Sequence, residues 1–211
     1  MRHEESRHLF SYWDGLRAGR AAPDRTEIDP RAIASILGDT FILEADRTGA
    51  LPYRLAGSRV SNLFARELKG SGFLDRFTPH ARDRVRKALV DATAAQAGLM
   101  LALAGTSAQS RKVDLEAVIL PLAHRGRVGA RLIGTLTVAE VPWWIGQDGI
   151  ASLDLTELRL LWPSWQQGGR SRPDHAMAAG RAPVAVLTGA APDRPASARP
   201  LLRLIQGGLP A

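Results

Sequence analysis

The chain of 211 residues carries a formal net charge of +7, with 45% hydrophobic and 23% charged residues, the balance of a globular protein rather than a disordered one. Its basic side chains, nearly all arginine, are spread along the sequence instead of gathered in a tract, so nucleic-acid binding is not expected. There is no cysteine, which excludes disulfides, thiolate metal sites, cysteine nucleophiles and a flavin photosensor bonded to its cofactor through Cys.

The opening "MRHEESRHLFSYWDG" is charged and has no apolar core, so no signal peptide is expected. Residues 3–18 read as a helix, because Leu9, Tyr12, Trp13 and Leu16 fall at i, i+3, i+4 and i+7 and form one apolar stripe. Two readings of the stripe stay open: a helix packed on its own domain, or a dimer or partner surface. "IDPRAIASILGD" (28–39) predicts a second helix, with Asp29 as N-cap, Pro30 at N1 and Gly38 at its end. "TFILEA" (40–45) and "YRLAG" (53–57) are predicted strands, the second with Tyr53 and Leu55 on one face and Arg54 on the other.

"SRVSNLFARELKG" (58–70) is helical in pattern, with Val60, Leu63 and Phe64 on one face, and "SGFLDRF" is too short and glycine-broken for a long helix. "TPHARDRVRKALVDATAAQAG" (78–98) is the clearest helix. Thr78 is its expected cap, Pro79 its N1 residue, Gly98 its C′ residue, and Asp83 with Lys87 an outward pair. "LMLALAGT" (99–106), "KVDLEAVILPLA" (112–123) and "ARLIGTLTVAEV" (130–141) follow as strands, with "HRGR" (124–127) as a hairpin turn. The longest apolar run, "AGLMLALAG" (97–105), is well short of the roughly 18 residues a membrane span needs. Residues 146–165 are expected to add a strand or a short helix. Residues 166–211 read as a mostly disordered basic tail, rich in Gly, Pro, Ala, Arg and Ser, with a short apolar end.

No phosphate-binding glycine loop, nucleophile elbow or HExxH motif is present, and the five histidines do not fall at metal-ligand spacing. No catalytic residue, metal site or cofactor is therefore expected. The one cofactor weighed is haem, through His80. Asp114 and Glu116, two apart on one strand face, are explained equally well as a solvated face and as paired acids.

The order strand, strand, short helices, long helix and three long strands resembles that of a PAS domain. "YRLAGSRVSNLFARELKGSGFLDRFTPHARDRVRKAL" carries the resemblance in detail: "ARELKG" stands where PAS domains show a helix ending in glycine, and "FLDRFTPHARDRVRKAL" is similar to their Pro-headed long helix. More narrowly, "FSYWDGLRAGRAAPDRTEIDP", "YRLAGS" and the ending "LIQGGLPA" resemble an alphaproteobacterial PAS-like family of single-domain proteins. Ala65 departs from that pattern, where such sequences often have Gly.

The resemblance implies an α+β fold, a PAS-like five-stranded antiparallel sheet with helices packed on one face, plus the N-terminal helix and a flexible C-terminal tail. The chain then divides into 1–27 (helix and linker), 28–145 (the PAS-like domain), 146–165 (the extra strand or helix) and 166–211 (the tail). The resemblance also implies a non-catalytic sensory or regulatory module that binds a small molecule or a partner protein and signals through protein–protein contacts, and with neither signal peptide nor spanning run expected, the cytoplasm is the default compartment. It is expected to be a homodimer with a signalling partner. Either a pocket or a simply filled core is expected between Leu63, Phe64, Phe73 and Phe77 on the helical side and Thr135 and Thr137, or Leu101 and Leu103, on the sheet, with Arg54 and Arg59 offered to an anionic group. Two other readings stay open: a small cone-shaped α+β enzyme, isomerase- or dehydratase-like, and a nucleic-acid or membrane-surface binder acting through the basic tail.

Overall fold

A computed structural model describes residues 1–45 and 49–162. Helix α1 (Glu4–Arg17) opens the chain. Strands β1 (Thr40–Glu44) and β2 (Tyr53–Ala56), helices α2 (Ser58–Leu63) and α3 (Pro79–Ala94), and strands β3 (Gly98–Ser107), β4 (Lys112–His124), β5 (Arg127–Val138) and β6 (Ile150–Leu161) follow. The six strands form one sheet in the order β2-β1-β5-β4-β3-β6, and every pairing is antiparallel. The sixth strand exceeds the five expected and is the strand alternative for residues 146–165. The tail at 166–211 lies outside the described residues.

Period-two alternation divides the sheet's side chains into two cores. On the inner face Phe41, Leu43, Leu99, Leu101, Leu103, Leu115, Ile119, Leu132 and Leu136 meet α2, the 3-10 turn Phe73–Arg76 and α3. On the outer face Met100, Val118, Leu120, Leu122 and Ile133 meet Leu9 and Trp13 of α1 and the segment around Ile33 and Ile36. Helices thus cover both faces, with α1 alone among the α-helices on the outer one.

Several local expectations are corrected. Residues 28–39 form no α-helix. Asp29 closes a turn by accepting from the Arg31 amide, and the chain then runs as a 3-10 helix over Ala34–Asp39. In the first two strands, Ile42 lies opposite Leu55 and Leu43 opposite Tyr53, which leaves Arg54 as a bulge residue. One extra residue reverses the alternation, so Tyr53 enters the inner core while Leu55 stays 45% exposed on the other face. Thr78 occupies the N-cap position of α3, but its hydroxyl donates to Asp154 Oδ1 instead of capping. The surface pairs on α3 are Asp83–Arg86 and Lys87–Asp91, not Asp83–Lys87.

Gly98 is not the helix stop, since α3 ends at Ala94 and Gln96 takes the left-handed conformation. Gly98 begins β3 instead, where a Cβ would lie 2.5 Å from Leu120 Cδ2. The "HRGR" turn is as expected. Arg125 (φ 51°) and Gly126 (φ 76°) join β4 to β5, the geometry of a two-residue hairpin loop whose twist matches its strands.

Candidate functional site

The inner core is closed by aromatic rings from three places in the chain. Phe73 is at the centre: its ring centroid is 5.7 Å from Phe41, 6.0 Å from Tyr53 and 5.3 Å from Phe77. Phe41 and Tyr53 meet edge to face at 5.8 Å. Stacked, tilted and edge-on rings at these spacings are favourable contacts. Leu63 of α2, Phe64 just after it, and Leu101 and Leu103 of β3 are buried in the same core. Six of the ten residues assigned to a pocket from sequence therefore share one apolar environment. Burial also pushes the Tyr53 phenol well above its usual pKa, so the hydroxyl stays neutral in that environment.

The other four do not join them. Thr135 and Thr137 belong to the outer face, because they alternate with Leu132, Gly134 and Leu136 along β5. There the Thr135 hydroxyl is 3.4 Å from Ser6 Oγ, and Thr137 Oγ1 donates to the carbonyl of Glu116. Arg54 and Arg59 are exposed and paired: Arg54 with Glu44, and Arg59 with Asp39, Nε to Oδ1 2.7 Å. Glu44 also receives Arg131 at 2.6 Å. An anion approaching either arginine would compete with a carboxylate already in place.

His80, the residue weighed for haem, is exposed on the first turn of α3, outside the aromatic core. Among the described residues no cluster of three or more His, Asp or Glu converges as a metal site, and no helix is long and apolar enough to cross a membrane. Ala65 has φ 49°. A left-handed residue there is a reason for Gly that needs no ligand, since only Gly takes this conformation without a Cβ penalty.

The stripe on α1 also has a definite place. Leu9 and Trp13 are fully buried against the protein's own sheet, and Trp13 Nε1 donates to the Pro121 carbonyl at 2.7 Å. Tyr12 and Leu16 are half-buried, and the Tyr12 hydroxyl accepts from the Asp29 amide. The dimer reading of Leu9 and Trp13 is corrected: the outer sheet face needs a cover, and α1 is that cover.

Sequence reasoning missed the partners that complete both cores. Trp144 is buried in the inner core, from the loop between β5 and β6. Phe41 and Tyr53 complete the aromatic group, and the parity of Phe41 with Leu43 along β1 was the available signal. On the outer face Glu116 receives the Arg2 amide at 2.7 Å and the His3 amide at 3.4 Å. His3 has no side-chain cap of its own for α1, so this carboxylate from β4 anchors the helix start. Burial pushes the Glu116 carboxyl up, but the Arg2 amide, the Ser6 hydroxyl and the His3 amide together hold it below its ordinary value.

A carboxyl whose folded pKa is depressed stabilises the protein above its unfolded pKa, near 4.5, and loses that contribution as pH falls through the folded value. Glu116→Gln is therefore expected to cost about 1 kcal/mol at neutral pH and to flatten the acid limb. The check is the urea midpoint at pH 7 and at acid pH: the variant's midpoint should fall less than that of the unmodified protein. An equal fall in both would remove Glu116 as the anchor.

Two of the surface cavities among the described residues are best defined, and the aromatic core lines neither. An apolar groove of about 370 Å³ lies on the outer face among Ile28, Pro30, Ile33, Leu37, Ile42 and Leu55. A polar cleft of about 250 Å³ lies beside the β4–β5 hairpin among Glu44, His124, Arg125, Arg127 and Arg131.

A family model described as PAS domain matches residues 1–137. No curated protein matches the chain. Among solved structures, the light state of the blue-light photoreceptor Aureochrome1 LOV is similar at 14% identity and TM-score 0.39, covering 52% of this chain and 88% of that one. The PAS domain of a protein from Colwellia psychrerythraea is similar at 10% identity and TM-score 0.40, covering 51% and 94%. A LOV protein from Rhodobacter sphaeroides is similar at 15% identity and TM-score 0.38, covering 50% and 64%.

Proposed function

The chain belongs to the PAS domain family, and from that premise we propose that it is a non-catalytic sensory and regulatory module. In this reading it signals through protein–protein contacts, as a cytoplasmic homodimer with a signalling partner, and its narrower relatives are the alphaproteobacterial PAS-like proteins. The observation that carries the reading is the chemistry of the inner core. Where a cone-shaped enzyme would need an acid or base, the sheet and helices present Leu63, Phe64, Phe73, Phe77, Leu101 and Leu103 around Phe41 and Tyr53. The buried carboxyl with a displaced pKa, Glu116, faces the other way and holds the start of α1. With the interior filled by rings, the surfaces left for communication are the outer ones. A ligand or partner would act there by favouring one population of surface conformations over another.

A small apolar ligand is the second reading, favoured by the groove between the Ile28–Leu37 segment and the first two strands. A concave apolar site of this size suits a small molecule. Native mass spectrometry of the purified full chain tests both readings. A mass of two chains is expected, and a single-chain mass at micromolar concentration overturns the homodimer. A mass excess that the substitution Leu55→Arg removes would assign a ligand to the groove. An excess that this substitution does not remove would overturn the groove reading.

A further inference from the structure

We propose that the homodimer is built by the free edge of β6, which adds antiparallel to the same edge of a second copy and joins the two sheets into one. The inference rests on the homodimer of the preceding reading and supplies its interface.

Strand β6 is the last strand of the sheet, paired on one side with β3 over nearly its whole length. On its other side the first half is covered. Phe77 bridges to Leu153, the Thr78 amide donates to the Leu153 carbonyl, and Asp154 Oδ1 accepts from the Leu155 amide. Beyond Leu155 no element pairs with that side among the described residues.

The backbone there is oriented for pairing. Leu153, Leu155 and Leu158 lie opposite Gly105, Leu103 and Leu101, three positions of one parity on β3. The Leu153 carbonyl faces away from β3, so the amides and carbonyls of Leu158 and, two further on, Leu160 face the same way. An open edge of this kind is a template for another strand.

The sequence selects a second copy as the occupant. Edge strands are commonly defended by charges of one sign, which repel their own copies. Here the charges are Glu157 and Arg159, one on each side of Leu158. An antiparallel pairing centred on Leu158 places Glu157 opposite the partner's Arg159 and Arg159 opposite the partner's Glu157. It also sets Leu158 against its own copy and Leu160 against Thr156. Both charged residues lie on the outer face, opposite Ala102 and Met100 of β3, and within one chain they already pair with each other. A two-fold axis through Leu158 thus satisfies the strand's hydrogen bonds and both ion pairs at once, the self-complementarity an isologous interface requires. The pairing also accommodates the one irregularity of the strand: Thr156 is the bulge residue between Leu155 and Glu157, and it falls at the margin of the paired stretch.

The test is charge exchange, read by sedimentation velocity on the full chain. Glu157→Arg alone and Arg159→Glu alone each set like charges opposite one another. Each is expected to weaken the dimer by roughly tenfold, since both cross-strand ion pairs turn from attractive to repulsive and each contributes several tenths of a kcal/mol in either sense. Circular dichroism should show both variants folded, because the two side chains are on the surface. Mixing the two variants restores opposite charges at both positions and should yield a heterodimer as tight as the unmodified homodimer. A dimer unaffected by either variant, or no recovery on mixing, overturns the β6 interface and leaves the homodimer standing. An unmodified chain that is monomeric at micromolar concentration overturns both.

Discussion

Phe73→Ala is expected to lower the free energy of unfolding by roughly 3–5 kcal/mol, the range for truncating a buried aromatic side chain. Phe73 is 1% exposed and touches three other rings, so its removal deletes the contact that holds the aromatic group together. It comes from a short 3-10 turn, and neighbouring residues cannot close the space without moving β1 or α3. A cavity lined by hydrocarbon remains, and such cavities stay dry and accept small apolar molecules. The variant should therefore gain stability on addition of benzene, while the unmodified protein should not. Phe73→Leu keeps most of the volume and should cost less than about 2 kcal/mol. The measurements are urea unfolding curves and melting temperatures with and without benzene. A loss under about 1 kcal/mol for Phe73→Ala, or a benzene response in the unmodified protein, would mean that the interior already holds empty space. The reading of a filled core would then give way to one of an internal ligand pocket.

That experiment bears on the reason the inner core was half legible in the sequence. Leu63, Phe64, Phe73 and Phe77 cluster along the chain, and Leu101 and Leu103 announce themselves by alternation. That the two sets meet in one interior is what the resemblance to a PAS domain implied. Thr135 and Thr137 were misplaced because alternation says that two sets of residues face opposite ways but not which set faces the helices. On β5 both sets are buried: Leu132 and Leu136 under α2 and α3, Ile133 and Thr135 under α1. A sheet covered on both faces removes the polar half of the pattern. Residue Arg54 hides in a different way. A bulge reverses parity in the middle of a four-residue strand, and no residue type there marks it.

Thr78 and Gly98 show a third limit. Each has the right identity for a helix end, yet the first serves β6 through Asp154 and the second makes room for Leu120. Tertiary contact can claim a residue that local rules assign elsewhere. The place of β6 is also a long-range fact. Its pairing with β3 joins residues some fifty positions apart, and such pairing is not encoded in the periodicity of either segment.

The second large effect is expected at α1. Trp13→Ala should cost roughly 3–5 kcal/mol, because the indole is wholly buried on the outer face and its N–H is bonded to the Pro121 carbonyl. The pairing of β4 with β3 extends only to Ile119, two residues before Pro121, and Trp13 supplies the Pro121 carbonyl with a donor from outside the sheet. Arg17 depends on the same ring. Its guanidinium is 4.8 Å from the Trp13 centroid, and it donates through Nε to the Arg20 carbonyl and through Nη1 to the Gln96 carbonyl. It thereby ties the end of α1 to the turn after α3. Burial lowers the Arg17 pKa, and removing the ring would take away one of the groups that compensate for that burial. Trp13→Phe keeps much of the packing but leaves the Pro121 carbonyl without its donor, and about 1–3 kcal/mol is expected for that lost bond. The readout that identifies the mechanism is hydrogen exchange. In Trp13→Ala the amides of α1 should lose protection first, and the outer face around Leu120 and Ile133 should begin to bind an apolar dye, while the amides of α3 stay protected. If Trp13 instead served a partner, the substitution would dissociate the oligomer at unchanged unfolding free energy, and the placement of α1 as the cover of its own sheet would fail.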